Sequence, residues 1–255
     1  MSDAASLRIG SVPYLNSVPL TRGIESETVF ATPPKLAALL HAGQLDAALL
    51  SVTAVLFEDG YDILDGVAVA SNGPVKSVFL AHRRPVEEAR EIFCDTASLT
   101  SVNLLRVVLA ERGLQPQLLP LEDYARAHEH DFVLLIGNAA LDFLSAPHDH
   151  AVWDLGQAWH ELTGLPFVYA VWALRRGAHD ASLLEKLRRA KFRGLAELEE
   201  IIATYPAYDA ALRRAYLDGH IHYGLDNAEK AGLARFIALL RKSGAGRIHD
   251  PRYVR

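Results

Sequence analysis

Residues 11 to 17 read Ser-Val-Pro-Tyr-Leu-Asn-Ser, and within seven positions they offer two serine hydroxyls, the Tyr14 hydroxyl and the Asn16 amide. Pro13 and Pro19 stiffen the backbone around them. The run contains no acid, base or thiol, so whatever it grips it grips with neutral hydrogen bonds. Similar groups recur just beyond apolar segments elsewhere. Ser11, Ser51, Ser71 with Asn72, the cluster Thr96, Ser98, Thr100 and Ser101, and Asn138 each follow one. A hydroxyl cluster that opens a helix also presents free backbone N–H groups and the positive end of a dipole, which suit a carboxylate or phosphate. Taken singly, Thr100 or Ser101 reads equally as a helix cap, and Ser51 or Ser71 as a turn residue. Recurrence after five separate strands favours function, because local capping does not require it.

The common catalytic signatures are absent from the sequence: no nucleophile elbow, no Gly-rich phosphate loop and no His-Glu-x-x-His. The pairs His128/His130, His148/His150 and His220/His222 read as loop histidines in solvent rather than metal ligands. Cys94 reads as a small core residue at a strand end. Asp95, the acid nearest the hydroxyl cluster, is either a base or a local cap. Lys76 is either a charge for an anionic ligand or a solvated strand-edge lysine.

The elements that must carry these groups follow from apolar runs and their breakers. Leu7–Ser11, Ala47–Leu50, Val67–Ala70, Ser77–Ala81, Glu91–Cys94 and Phe132–Ile136 read as strands. Pro34–His41 reads as a helix, and an amphipathic helix runs from Val102 to Arg112 with Gly113 as its stop. Leu165–Leu174 is a long apolar segment, and from Ala181 on the pattern is helical. Alternating strands and helices predict an α/β protein with mostly parallel sheets covered on both faces. The alternation restarts after a first crossover near Ala81–Pro85, which predicts two lobes with the ligand between them at strand carboxyl ends. The first lobe is expected to hold residues 1–84 plus 173–255, and the second 85–172.

The 255 residues are 50% hydrophobic and carry a net charge of −5 with interspersed signs, which argues against nucleic acid as a partner. One cysteine excludes an internal disulfide. Residues Met1 to Ser6 show neither a basic nor an apolar stretch, and no run reaches the length of a membrane span. The expectation is a cytoplasmic protein.

Several blocks together resemble the chorismate dehydratases of the futalosine route to menaquinone. They are S-V-P-Y-L-N-S-V-P-L from Ser11, G-Q-L-D-A-A-L-L-S-V at 43–52, V-A-S-N-G-P-V-K-S-V at 69–78, D-T-A-S-L-T-S-V at 95–102, L-L-I-G-N-A-A-L at 134–141, and the stretch from Trp153 to Trp172. The resemblance covers roughly residues 8–175. It implies a two-lobed fold like the type II periplasmic solute-binding proteins, with the C-terminal helices packed back on the first lobe. It also implies loss of water from chorismate, a dicarboxylate, to give 3-[(1-carboxyvinyl)oxy]benzoate, with no metal or organic cofactor. On this reading Ser77 and Gly137 join the hydroxyls and Asn138 as substrate-binding groups. The proton acceptor is either the substrate's own enolpyruvyl carboxylate, oriented by Asn16 and Tyr14, or Asp95. The runners-up are the synthase of 1,4-dihydroxy-6-naphthoate from the same route and a non-catalytic small-anion-binding protein.

Overall fold

The computed structural model describes residues 8–255; Leu7, the expected start of the first strand, and the Met1–Ser6 stretch lie outside the described residues. Eleven strands follow in chain order: β1 (Ile9–Ser11), β2 (Thr28–Phe30), β3 (Ala47–Ser51), β4 (Tyr61–Ser71), β5 (Val78–His82), β6 (Glu91–Cys94), β7 (Gln117–Pro120), β8 (Phe132–Ile136), β9 (Ala151–Asp154), β10 (Phe167–Arg175) and β11 (Tyr253–Val254). They form two sheets, ordered β11-β4-β10-β3-β1-β2 and β7-β6-β8-β5-β9.

Both sheets are mixed, which corrects the expectation of mostly parallel pairing. β1 runs parallel to β2 and β3, but β10 inserts antiparallel between β3 and β4. In the second sheet β6 is parallel to β7 and β8, whereas β5 is antiparallel to β8 and β9. The antiparallel strands are the ones adjoining the two crossings between sheets. The crossings also sit elsewhere than expected. β5 already belongs to the second sheet and all of β10 to the first, so the chain crosses at residues 72–77 and returns over 155–166. The Gly73-Pro74 pair, which reads as a local turn, is the first crossing itself, and Gly73 takes a φ of +99° that only glycine adopts freely.

Ten α-helices are described: α1 (Val18–Thr21), α2 (Pro33–His41), α3 (Val52–Phe57), α4 (Leu99–Glu111), α5 (Gly137–Ser145), α6 (Leu155–Thr163), α7 (Ala181–Ala196), α8 (Leu198–Thr204), α9 (Ala210–Arg214) and α10 (Asn227–Lys242). α4 starts three residues before the sequence expectation because Ser98 caps it, its Oγ accepting from the Ser101 N–H at 3.3 Å. α6 is capped by Asp154 and closed by Gly164 at a φ of +69°. The same Asp154 carboxylate accepts from the N–H groups of Val75 and Lys76, so it ties one crossing to the start of the other.

The C-terminal helices return to the first lobe. α7 lies on α1 so closely that a Cβ on Gly194 would stand 1.9 Å from the Pro19 carbonyl oxygen. α10 covers β10, where Trp159, Phe167 and Phe236 pack edge to face with centroids 4.9–5.9 Å apart. One buried apolar cluster runs through both lobes, from Ile9 and Leu49 to Leu104 and Leu134. A smaller one, around Phe79 and Val133, covers the outer face of the second sheet. The two lobes therefore meet across a shared core that fixes what faces the cleft between them.

Candidate active site

The cleft lies where β1, β3 and β8 end, and where β4 and β10 approach the crossings. It holds about 610 Å³ of atom-free space, part of it open to solvent. Tyr14 and Asn16 come from the loop after β1, and Ser51 from the end of β3. Ser77 comes from the first crossing, Ser98 and Ser101 from the start of α4, Gly137 from the start of α5 and Tyr169 from β10. Val12, Leu49, Val69, Val75 and Ile136 supply apolar wall. No Asp, Glu, His, Lys or Arg lines it. A larger groove of about 1150 Å³ between α4 and α10 is crossed by the Lys242–Glu111 ion pair (2.8 Å) and lies away from the strand ends around the cleft.

The loop after β1 is folded around its own serine. Ser17 Oγ lies 2.6 Å from the Val12 carbonyl and 2.8 Å from that of Tyr14, so Ser17 builds the loop and leaves Tyr14 and Asn16 to face the cleft. The Tyr14 ring rests on Gly137, where a Cβ would come within 3.4 Å of it and where φ is +56°. The Gly137 N–H donates to the Ser77 carbonyl at 2.8 Å. The Asn16 amide donates to Tyr216 Oη at 3.0 Å, and Tyr216 donates to Ser77 Oγ at 2.7 Å. Tyr169 Oη lies 3.0 Å from Ser71 Oγ, which in turn donates to the Gly73 carbonyl.

Every ionisable group lining this space is a tyrosine held neutral. Burial, then the Asp95 charge, pushes Tyr14 up to about 12, and burial holds Tyr169 well above its ordinary value. Tyr216, just behind, is likewise pushed up to about 12 by burial. Positive potential comes from helix starts instead: the first turns of α4 and α5 open on the cleft, and α5 has no side-chain cap.

Half of the residues expected from the sequence line the cleft: Tyr14, Asn16, Ser51, Ser77, Ser98, Ser101 and Gly137. Ser98 and Ser101 are three apart and share a helix face; Thr100 turns the other way. Its Oγ1 accepts from the Thr53 N–H at 2.9 Å and joins α4 to α3 across the lobes. Asn138 also links the lobes, accepting from the Leu15 N–H at 3.2 Å. Ser71 stands behind Tyr169. Ser11 is fully buried with no hydrogen-bond partner for its hydroxyl, and Asn72 and Thr96 face solvent. Asp95 is buried outside the lining, its carboxylate accepting from the Tyr124 hydroxyl (2.7 Å) and the Ala97 N–H (2.9 Å). Burial raises its pKa against the opposing pull of those bonds. Cys94 is buried and pushed up to about 12, as a core thiol should be. Tyr169 and Tyr216 are the polar groups sequence reasoning missed; the first sits in an apolar run and the second in the helical C-terminal third.

Two lobes of mixed sheet, crossed twice by the chain and enclosing a cleft, define a protein of the type II periplasmic-binding-protein-like fold. The solved neighbours agree. A protein of Archaeoglobus fulgidus superposes with a TM-score of 0.74 at 16% identity over 94% of this chain and 98% of its own. The alkanesulfonate-binding protein SsuA of Xanthomonas axonopodis pv. citri gives 0.66 at 18% identity over 97% of both. A family described as menaquinone biosynthesis matches residues 7–242, and the chain belongs to that family. It is similar to the chorismate dehydratase of Thermus thermophilus, 31% identical over 91% of this chain and 94% of that one. It is also 28% identical to the chorismate dehydratase of Campylobacter jejuni over 88% and 89%.

Proposed function

We propose that this protein is a chorismate dehydratase, a hydro-lyase that takes water from chorismate to give 3-[(1-carboxyvinyl)oxy]benzoate. The observation that carries the reading is the cleft: neutral hydrogen-bond donors and two helix starts, with no charged side chain, in a chain of the menaquinone-biosynthesis family. Chorismate brings two carboxylates, and helix starts with serine hydroxyls hold carboxylates without cations.

In the reaction the C–H bond at the ether-bearing ring carbon breaks. The electron pair left there is delocalised through the ring double bond toward the ring carboxylate. The neighbouring C–O bond then breaks, the oxygen leaves as water after taking a proton, and the new double bond completes the aromatic ring. The protein has to orient the ring, stabilise charge at the ring carboxylate, and arrange proton movement. Since only raised-pKa tyrosines among the lining groups can titrate, the substrate's enolpyruvyl carboxylate is the better proton acceptor. It can return that proton to the leaving oxygen. Asp95 is the weaker choice, because its carboxylate is occupied by Tyr124 and Ala97 behind the wall. Asn16, fixed by Tyr216, orients the substrate carboxylate. The test is Asn16→Ala assayed with chorismate, following aromatic absorbance for turnover and calorimetry for binding. Turnover should fall by about 100-fold, with affinity changed less than about fivefold. A loss confined to affinity contradicts the orienting role.

A further inference from the structure

Tyr216 lies 139 positions beyond Ser77 and past the last of the sequence blocks, which ends at Trp172, in the segment Ala215–His220, which is wound as a π-helix. Such wide turns are rare and gather at functional sites. The side chain is 2% exposed, and its hydroxyl bridges Asn16 on the β1 loop and Ser77 on the first crossing. An amide nitrogen only donates, so Tyr216 Oη accepts from Asn16 and spends its single proton on Ser77 Oγ. The direction of the chain is thereby fixed.

That direction has consequences at both ends. The Ser77 oxygen has accepted, and its own proton has no partner among the described residues, while the residue lines the cleft. Asn16 has one amide proton committed, and its carbonyl oxygen and second N–H remain for a ligand. Hydrogen bonds in series polarise one another, so a serine that accepts from a buried tyrosine is a stronger donor than a free one.

We infer that Tyr216 is a positioning residue for the proposed dehydration. Its hydroxyl pins the Asn16 amide and aims the Ser77 O–H at a substrate oxygen that gains negative charge as the ring C–H bond breaks. The inference rests on the chorismate dehydratase reading and adds the residue that organises its two polar contacts. A group acting on developing charge moves turnover more than ground-state binding.

The experiment assays Tyr216→Phe, Ser77→Ala and the double variant with chorismate, beside Tyr223→Phe as a control. Tyr223 is a second buried tyrosine whose hydroxyl has no partner. Tyr216→Phe should lower kcat by about 10-fold or more with KM changed less than about threefold. The double variant should lose clearly less than the product of the two single losses, because one chain joins the sites. Tyr223→Phe should keep kcat. Full kcat in Tyr216→Phe, or multiplicative losses in the double variant, overturns the inference. Should Tyr216→Phe unfold, Ser77→Ala reads the same chain from its other end, and full kcat there overturns it equally. Absence of product from the wild-type protein instead overturns the dehydratase reading itself.

Discussion

Gly156, the second residue of α6, is the position where one methyl group should damage the cleft from behind. A Cβ there would lie 2.5 Å from the Gly73 carbonyl oxygen, 2.6 Å from Tyr169 Oη and 2.9 Å from Ser71 Oγ. Two of these contacts are a buried hydrogen-bonded pair, and the third is backbone of the crossing, so none can swing aside. Overpacking of this kind costs about 1–3 kcal/mol. Displacing Tyr169 from Ser71 adds about 1 kcal/mol, and the better helix propensity of alanine returns about 1 kcal/mol. Gly156→Ala should therefore be less stable by about 1–3 kcal/mol, a fall in Tm of roughly 2–12 °C at 2–4 °C per kcal/mol. Because Tyr169 lines the cleft, chorismate affinity should fall as well. Gly60→Ala, where a Cβ meets open space, serves as the control and should shift stability by less than about 0.5 kcal/mol. Thermal unfolding and substrate titration of both variants decide the matter. A Gly156→Ala protein as stable as Gly60→Ala, with unchanged affinity, would refute the close approach on which the argument depends.

Three further outcomes follow from the buried titratable groups. Asp95→Asn keeps an oxygen to accept from Tyr124 and Ala97, so turnover should stay within about threefold of wild type, whereas a catalytic base would cost about 100-fold or more. Asp95 is raised above its ordinary value, so the stability it gives the fold is full below the unfolded carboxyl's pKa and is lost as pH rises through the folded one; acid-range denaturation of Asp95→Asn should lack that decline. At the alkaline end, Cys94, Tyr14 and Tyr216 are all pushed up to about 12. The unfolded chain loses these protons first, so stability should fall from about pH 9 upward and steepen above 10, at up to about 1.4 kcal/mol per group per pH unit. A flat urea midpoint between pH 9 and 11 would contradict the burial of these groups.

The parts of the fold that the sequence made legible are those set by local pattern. β6 and β8 appear at their expected bounds because buried apolar runs with turn residues behind them have few other uses. The crossings were misplaced because sheet membership is decided by pairing between distant strands: Val78–His82 follows a Gly-Pro turn and looks continuous with the first lobe, yet it bonds to β8 and β9. The site divides the same way. Tyr14, Asn16, Ser98 and Ser101 belong to compact motifs, so their types announced them. Thr100 and Asn138 have the same chemistry but link the lobes, a use that depends on the facing element. Tyr216 carried no local signal, since what matters about it is contact with Asn16 and Ser77, 200 and 139 positions away.

The central claim is that a cleft of neutral donors, with no side-chain base in its lining, dehydrates chorismate. The most direct measurement is a single-turnover incubation of protein in excess over chorismate, with a metal chelator present, quenched and read by proton nuclear magnetic resonance. The account predicts stoichiometric conversion to 3-[(1-carboxyvinyl)oxy]benzoate with its aromatic signals. Chorismate bound by the protein and recovered unchanged would contradict it.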